Sequence, residues 1–359
     1  MKKTRPLRIY LGDLTYTTVT LATASSSIDE NSDSTITLTA TVSTATFQDV
    51  TVSLDGTGGT GSEGTDFGTV SDITISAGST TGTVNFTPTD DSVYEGNETA
   101  TIAISSVSGG SATESGTQSV TITISEDESA PTVTLSTSAS SIAENAGSSL
   151  TITATLSTAT TADVTVTIGT AGTATEGTDY TDGSGNLDDI TISAGSTTGT
   201  VSFTPTDDAS DPVYEENETA IISIDGVSGG SASESGSQSV TITITDDDSA
   251  PTVTLAASST SIAENSSSTI TLTATLSNAT YQDVTVSIGT SGTATEGTDY
   301  GNISDITISA GSTTGTATFD PTDDSDETDT VTATIAISGV SGGGATESGS
   351  QSVTISILD

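Results

Sequence analysis

Apolar and polar residues alternate one by one along most of this chain. In SLTITATLS (149–157), Leu150, Ile152, Ala154 and Leu156 fall on one side and serines and threonines on the other. ADVTVTIG, DITISAG, TTGTVSFTPT, ETAIISID and QSVTITITD carry the same pattern. A strand turns successive side chains to opposite faces. Period-two alternation of β-branched residues, punctuated by Gly, Ser and Asn, therefore predicts half-buried antiparallel strands. No segment has the spacing of an amphipathic helix, so the chain is expected to be all-β.

The pattern recurs at long range. SAPTVTL occurs at 129–135 and again at 249–255, and ITISAGSTTGT at 73–83, 190–200 and 306–316. SSSIDEN, SSIAEN and TSIAEN end just before residues 32, 146 and 266. The reading is three tandem copies, 17–128, 129–248 and 249–359, behind a non-repeat arm at 1–16. Each copy has the size of one ordinary domain, and about seven short strands in such a unit predict a β-sandwich.

Composition changes the picture through charge. The 359 residues include 48 Asp+Glu and four Lys+Arg, for a formal net charge of -44. The basic residues are Lys2, Lys3, Arg5 and Arg8; beyond Arg8 no acid has an internal cation to pair with. Self-repulsion opposes compaction of such a chain. Nucleic acid and anionic membrane surfaces, which need basic patches, are excluded as partners. No apolar run reaches the ~18 residues of a membrane span, so no membrane insertion is expected. MKKTRPLRIYLGDL has a basic start but no apolar stretch, and shows no standard signal peptide. Histidine, cysteine and tryptophan are absent, which removes the usual general base, the thiol nucleophile, disulfides and the best sugar-stacking ring. A carboxylate-pair hydrolase is the one catalytic class left open, and nothing else in the sequence supports it.

The acids sit in loops and at strand ends. In the second copy they are Glu144, Glu176, Asp179, a run from Asp207 to Glu218, and Asp246 to Asp248. Acids placed for solubility alone would occupy outward strand positions, which are mostly Thr or Ser. Alternate loops of a sandwich fall at one end, so these groups can converge. Two carboxylates 4 Å apart repel by about 4 kcal/mol at an effective dielectric of 20. Such a cluster needs protons or a metal. Calcium, a hard cation taking 6–8 oxygens, fits best; zinc and copper want His or Cys, and magnesium keeps its waters.

The Glu of IAEN, the GTDY loop, the segment F-x-P-x-x-D-D…Y-E-x-x-E-T and the terminal DDD together resemble the Calx-β motif over nearly the whole chain. The resemblance implies tandem seven-stranded antiparallel immunoglobulin-like β-sandwiches, each holding several calcium ions at one end. In the first copy it implies as ligands Glu30, Asp66, Asp90, Asp91, Glu95, Glu98, Glu126, Asp127 and Glu128. In the second it implies Glu144, Asp179, Asp207, Asp208, Glu215, Glu218, Asp246, Asp247 and Asp248. The third matches at Glu264, Asp299, Asp323 and Asp324, but Thr328 and Val331 stand where the loop glutamates belong, and Asp359 is the only acid of its triplet. Phe67, Tyr180 and Tyr300, which follow the GTD sequence, are read as core plugs, and NET at 97–99 and 217–219 as chance sequons.

The expected function is that of a non-enzymatic extracellular or cell-surface protein, a calcium-rigidified rod serving as adhesin stalk or filament subunit. The strand-like LRIYL suits addition to a neighbour's sheet edge, so homopolymerisation through this arm or through end-to-end contacts is part of the reading. A calcium-sensing module of a larger protein and an adhesive ligand-binding segment are the alternatives.

Overall fold

The computed structural model describes residues 16–207, 213–323 and 330–359. The N-terminal arm up to residue 15, Asp208 and Asp324 lie outside the described residues.

The alternation folds as two facing sheets, three times over. In the second repeat one sheet runs Tyr180–Thr181, Thr198–Pro205, Leu150–Leu156, Thr132–Thr137, Ser233–Glu234. The other runs Ser141–Ala143, Ser239–Thr245, Glu218–Ser228, Val164–Gly172, Ile190–Ile192. The register sets Leu135 opposite Ala154 and Ile152 opposite Val201, so inward positions of neighbouring strands align in one layer. Ile152, Ala154, Val164, Val166, Ile222 and Ile242 are all fully buried, and their threonine neighbours face out. The first and third repeats build separate cores on the same plan.

The main ladders are antiparallel, but short edge segments pair in parallel. Ser27–Asp29 adds to Ser119–Ser125, and Ser141–Ala143 to Ser239–Thr245. This detail matters below, because it lays the end of the edge segment beside the end of the last strand. The aromatic plugs sit as expected. Phe67, Tyr180 and Tyr300 are buried and pack on Phe86, Phe203 and Phe319 at centroid distances of 5.1, 4.6 and 4.8 Å. Each ring pair closes the core directly under the GTD turn. Among the described residues no helix is long and apolar enough to cross a membrane.

Candidate metal centre

Four chain segments meet at one end of the first sandwich. The parallel edge pairing ends with the Glu30 N–H donating to the Ser125 carbonyl at 2.9 Å, which sets Glu30 beside Glu126. Asp66 is placed by its own turn, where Oδ2 accepts the Ser62 N–H at 2.5 Å. Its carbonyl accepts the Thr89 N–H at 2.9 Å and so ties the next acidic loop to it. That loop brings in Asp91, whose Oδ1 accepts the Val93 N–H at 2.7 Å, then Glu95 and Glu98.

The terminal triplet is fastened to the same loop. Glu126 Oε2 accepts the N–H groups of Glu95 and Gly96, at 2.6 and 2.5 Å. Asp246 repeats the grip on Glu215 and Glu216, both at 2.8 Å. Two successive amides can converge on one carboxylate only if the backbone turns sharply. Gly96 has φ 77° and Glu216 φ 67°, a left-handed conformation that costs a non-glycine of order 1–3 kcal/mol.

Three groups of carboxylate oxygens result in the first repeat, each with its oxygens within 4.8 Å of one another. They are Glu30 with Glu126, Asp127 and Glu128; Glu30 with Asp91 and Glu95; and Asp66 with Glu95 and Glu98. Glu30 and Glu95 each belong to two groups, so the acids form one continuous chain of sites. The second repeat gathers Glu144 with Asp207 and Asp247, and Asp179 with Glu215 and Glu218. Asp246 and Asp248 flank these, joined by the Asp248 N–H to Asp246 Oδ1 bond at 2.8 Å.

Burial and mutual repulsion leave their mark on proton affinity. Glu30 is only 7% exposed; burial first, then Glu126 and Asp91, push its pKa up to about 7. Burial and Asp66 push Glu98 up to about 7, and burial with Asp179 does the same to Glu218. Glu128 reaches about 7 chiefly through its hydrogen bond with Glu126. Glu95 is raised by burial and by Asp66 and Asp91. Among these gathered acids Glu126 goes down: burial works against it, but the amides of Glu95 and Gly96 and the Glu128 carboxyl hold it ionised. These sites want positive charge, and proteins supply it there as protons or as a cation.

Of the residues picked out by the sequence, Asp90 is exposed and joins none of these groups. In the third repeat the Glu264 N–H donates to the Leu358 carbonyl at 2.8 Å, and Asp299 repeats the Asp66 turn through the Thr295 N–H at 2.6 Å. Among the described residues no three acids of that repeat gather. Asp324, Asp326, Glu327 and Asp329 of that repeat lie outside the described residues, and Thr328 and Val331 stand where the loop glutamates belong. Sequence reasoning passed over the asparagines. Asn31 and Asn145 donate to Asp127 and Asp247. Asn97 and Asn217 accept the Glu126 and Asp246 N–H groups at 3.1 and 3.2 Å. The signal was present, since every copy reads Glu-Asn after its first edge strand and the two complete loops read Asn-Glu-Thr.

The Calx-beta domain family matches the chain at residues 13–128, 126–248 and 246–355, and the chain belongs to that family. The matched spans overlap at 126–128 and 246–248, the two acidic triplets between repeats. Among curated proteins none matches the chain. Among solved structures it is similar to CBD12 from CALX1.2, at 15% identity over 63% of this chain and 99% of that one, with a TM-score of 0.28. A bacterial integrin-binding invasin aligns at 18% identity over 95% of this chain and 60% of its own, TM-score 0.32. Mouse cadherin-23 EC22-24 aligns at 16% identity over 95% and 98%, TM-score 0.23. None of the three superposes closely.

Proposed function

We propose that this chain is a non-enzymatic calcium-binding structural protein. It acts outside the cell as a rod of tandem sandwiches, serving as adhesin stalk or filament subunit. The observation that carries the reading is the fused chain of carboxylates in the first repeat. Its last members, Glu126 to Glu128, are also the link to the next repeat, whose first strand starts at Thr132. An ion held there would tie one sandwich to the start of the next.

The donor set fits calcium: oxygen only, acids shared between neighbouring groups, and one buried carboxylate oxygen, Glu128 Oε2, with no hydrogen-bond partner. In the first repeat Glu30, Asp66, Asp91, Glu95, Glu98 and Glu126 to Glu128 would hold the ions. In the second the holders would be Glu144, Asp179, Asp207, Asp208, Glu215, Glu218 and Asp246 to Asp248. Bound calcium supplies the positive charge that the chain lacks beyond Arg8. The third repeat, with Glu264, Asp299, Asp323 and Asp324 but no loop glutamates, would bind weakly. Repeat boundaries at 128/129 and 248/249 belong to the same proposal.

Small-angle scattering and melting with calcium and with EDTA test it. Chelation should lower the melting temperature, increase interdomain flexibility and open the chain to a protease of broad specificity. Identical scattering and melting in EDTA would overturn the reading. Calcium affinity separates a spacer from a sensor, because extracellular modules work at about 0.1–1 mM and sensors nearer micromolar.

A further inference from the structure

Both joints between described repeats use the same main-chain device. Val93–Tyr94 pairs in parallel with Ala159–Thr160 of the second repeat, and Val213–Tyr214 with Ala279–Thr280 of the third. At the second joint the Tyr281 N–H donates to the Tyr214 carbonyl at 3.3 Å. The Tyr214 ring lies so close over Gly344 that a Cβ there would be 2.5 Å from its Cε1. Ala279, in the receiving dipeptide, is 8% exposed.

The first repeat carries the same receiving edge. Its STATFQDV (43–50) stands where the second has STATTADV (157–164) and the third SNATYQDV (277–284). The edge is already shaped. Thr46 Oγ1 donates to the Gln48 carbonyl at 2.6 Å and the Thr46 carbonyl accepts the Gly78 N–H at 2.8 Å. Thr280 makes the same two bonds, to Gln282 and Gly311, at 2.6 and 2.8 Å. Yet among the described residues Ala45–Thr46 pairs with no strand. Ala45 is exposed, and Phe47 is 103% exposed where Tyr281 is 40%. Beside Phe47 lies a depression of about 280 Å³ lined by Gln48, Gly110 and Ser111. Ser111 holds the place of Gly344, the residue under the Tyr214 ring.

We propose that Ala45–Phe47 is a docking edge for the Val-Tyr-Glu loop of a Calx-beta domain other than these three. The loop is received as a parallel two-residue ladder, with its tyrosine seated between Phe47 and Ser111. Another copy of this chain does not supply it. Its two Val-Tyr loops are engaged at its own joints, and its third repeat has Asp326 and Glu327 where Val and Tyr would stand. The surface is thus one-way, and it does not rest on the calcium reading, since main chain and rings make the joint.

The test gives the full chain the missing loop. Asp326→Val, Glu327→Tyr, Thr328→Glu and Val331→Glu rewrite the third repeat as a donor. In calcium, light scattering should show concentration-dependent multiples of the chain mass for this variant and a single chain mass for the unaltered protein. Adding Phe47→Asp should return the variant to single mass. A donor variant that melts like its parent but stays at single mass overturns the proposal, as do multimers that survive Phe47→Asp. An unaltered chain that oligomerises through Phe47 would overturn the choice of partner. Should the rewritten repeat not fold, a labelled peptide of residues 89–99 is titrated with the unaltered chain. An anisotropy rise abolished by Tyr94→Ala in the peptide and by Phe47→Asp in the chain supports the edge, and no rise overturns it.

Discussion

Glu30, Glu98, Glu128 and Glu218, each with a pKa pushed from 4.5 to about 7, set how the metal-free protein responds to pH. A carboxyl whose folded pKa lies above its unfolded value favours folding while protonated. Its penalty is absent below 4.5, grows between 4.5 and 7, and is complete above 7. The metal-free melting temperature should therefore fall as pH rises from about 5 to 8, and calcium should remove that fall. Glu126, whose pKa is lowered, runs the other way: its contribution is lost as pH falls through its folded pKa. Five raised carboxyls, Glu95 among them, against the lowered Glu126 and the lowered, exposed Asp182 decide the sign. Calorimetry across that range, with chelator and with calcium, checks it. Substitution can be graded at the same scale. Glu95→Gln damages two carboxylate groups at once and should abolish most of the calcium-induced rise in melting temperature of the first repeat. Asp90→Asn, at an exposed residue outside the groups, should leave most of it.

At the scale of elements, Val50–Gly59, Val164–Gly172 and Val284–Gly292 each close on a glycine that leaves no room for a side chain. Gly59, Gly172 and Gly292 have φ of 106°, 118° and 121°, and an added Cβ would lie 2.0–2.1 Å from the carbonyl oxygen of Thr99, Thr219 or Thr332. Gly172→Ala should destabilise the second repeat by more than about 1 kcal/mol, read as an earlier transition in urea. The strands themselves were legible in the sequence because burial on one face writes a period of two, as in Leu150 to Leu156. The acids of the first two repeats were legible because they recur at fixed offsets and had no cation to answer them. The joints were not. Ala-Thr and Val-Tyr are too short to show a period, and each finds its partner in a different repeat. The Asn caps are a different case: Asn97 and Asn217 recur in Asn-Glu-Thr, but they work through bonds to backbone amides, and recurrence alone does not reveal that role.

Across the whole molecule, 48 acids against four basic residues leave folding to be reconciled with repulsion at a few places, and the structure concentrates those places at the ends of sandwiches. The order of repeats then matters. The first can receive a neighbour, the second both receives and donates, and the third lacks the donor dipeptide, so the chain has a direction that three near-identical copies would not suggest. The sharing of Glu30 and Glu95 between adjacent groups has a further consequence. With calcium bound as proposed, an ion leaving one group would free the carboxylates it shared, and their charge would then hold the neighbouring ion more tightly. Release would be stepwise, and calcium titrations followed by melting should be broader than for independent sites. Because Glu126 to Glu128 end one repeat's cluster and begin the passage to the next, the joint would take part in that stepwise loss. Under the proposed function, stiffness would be surrendered gradually over a wide range of calcium levels.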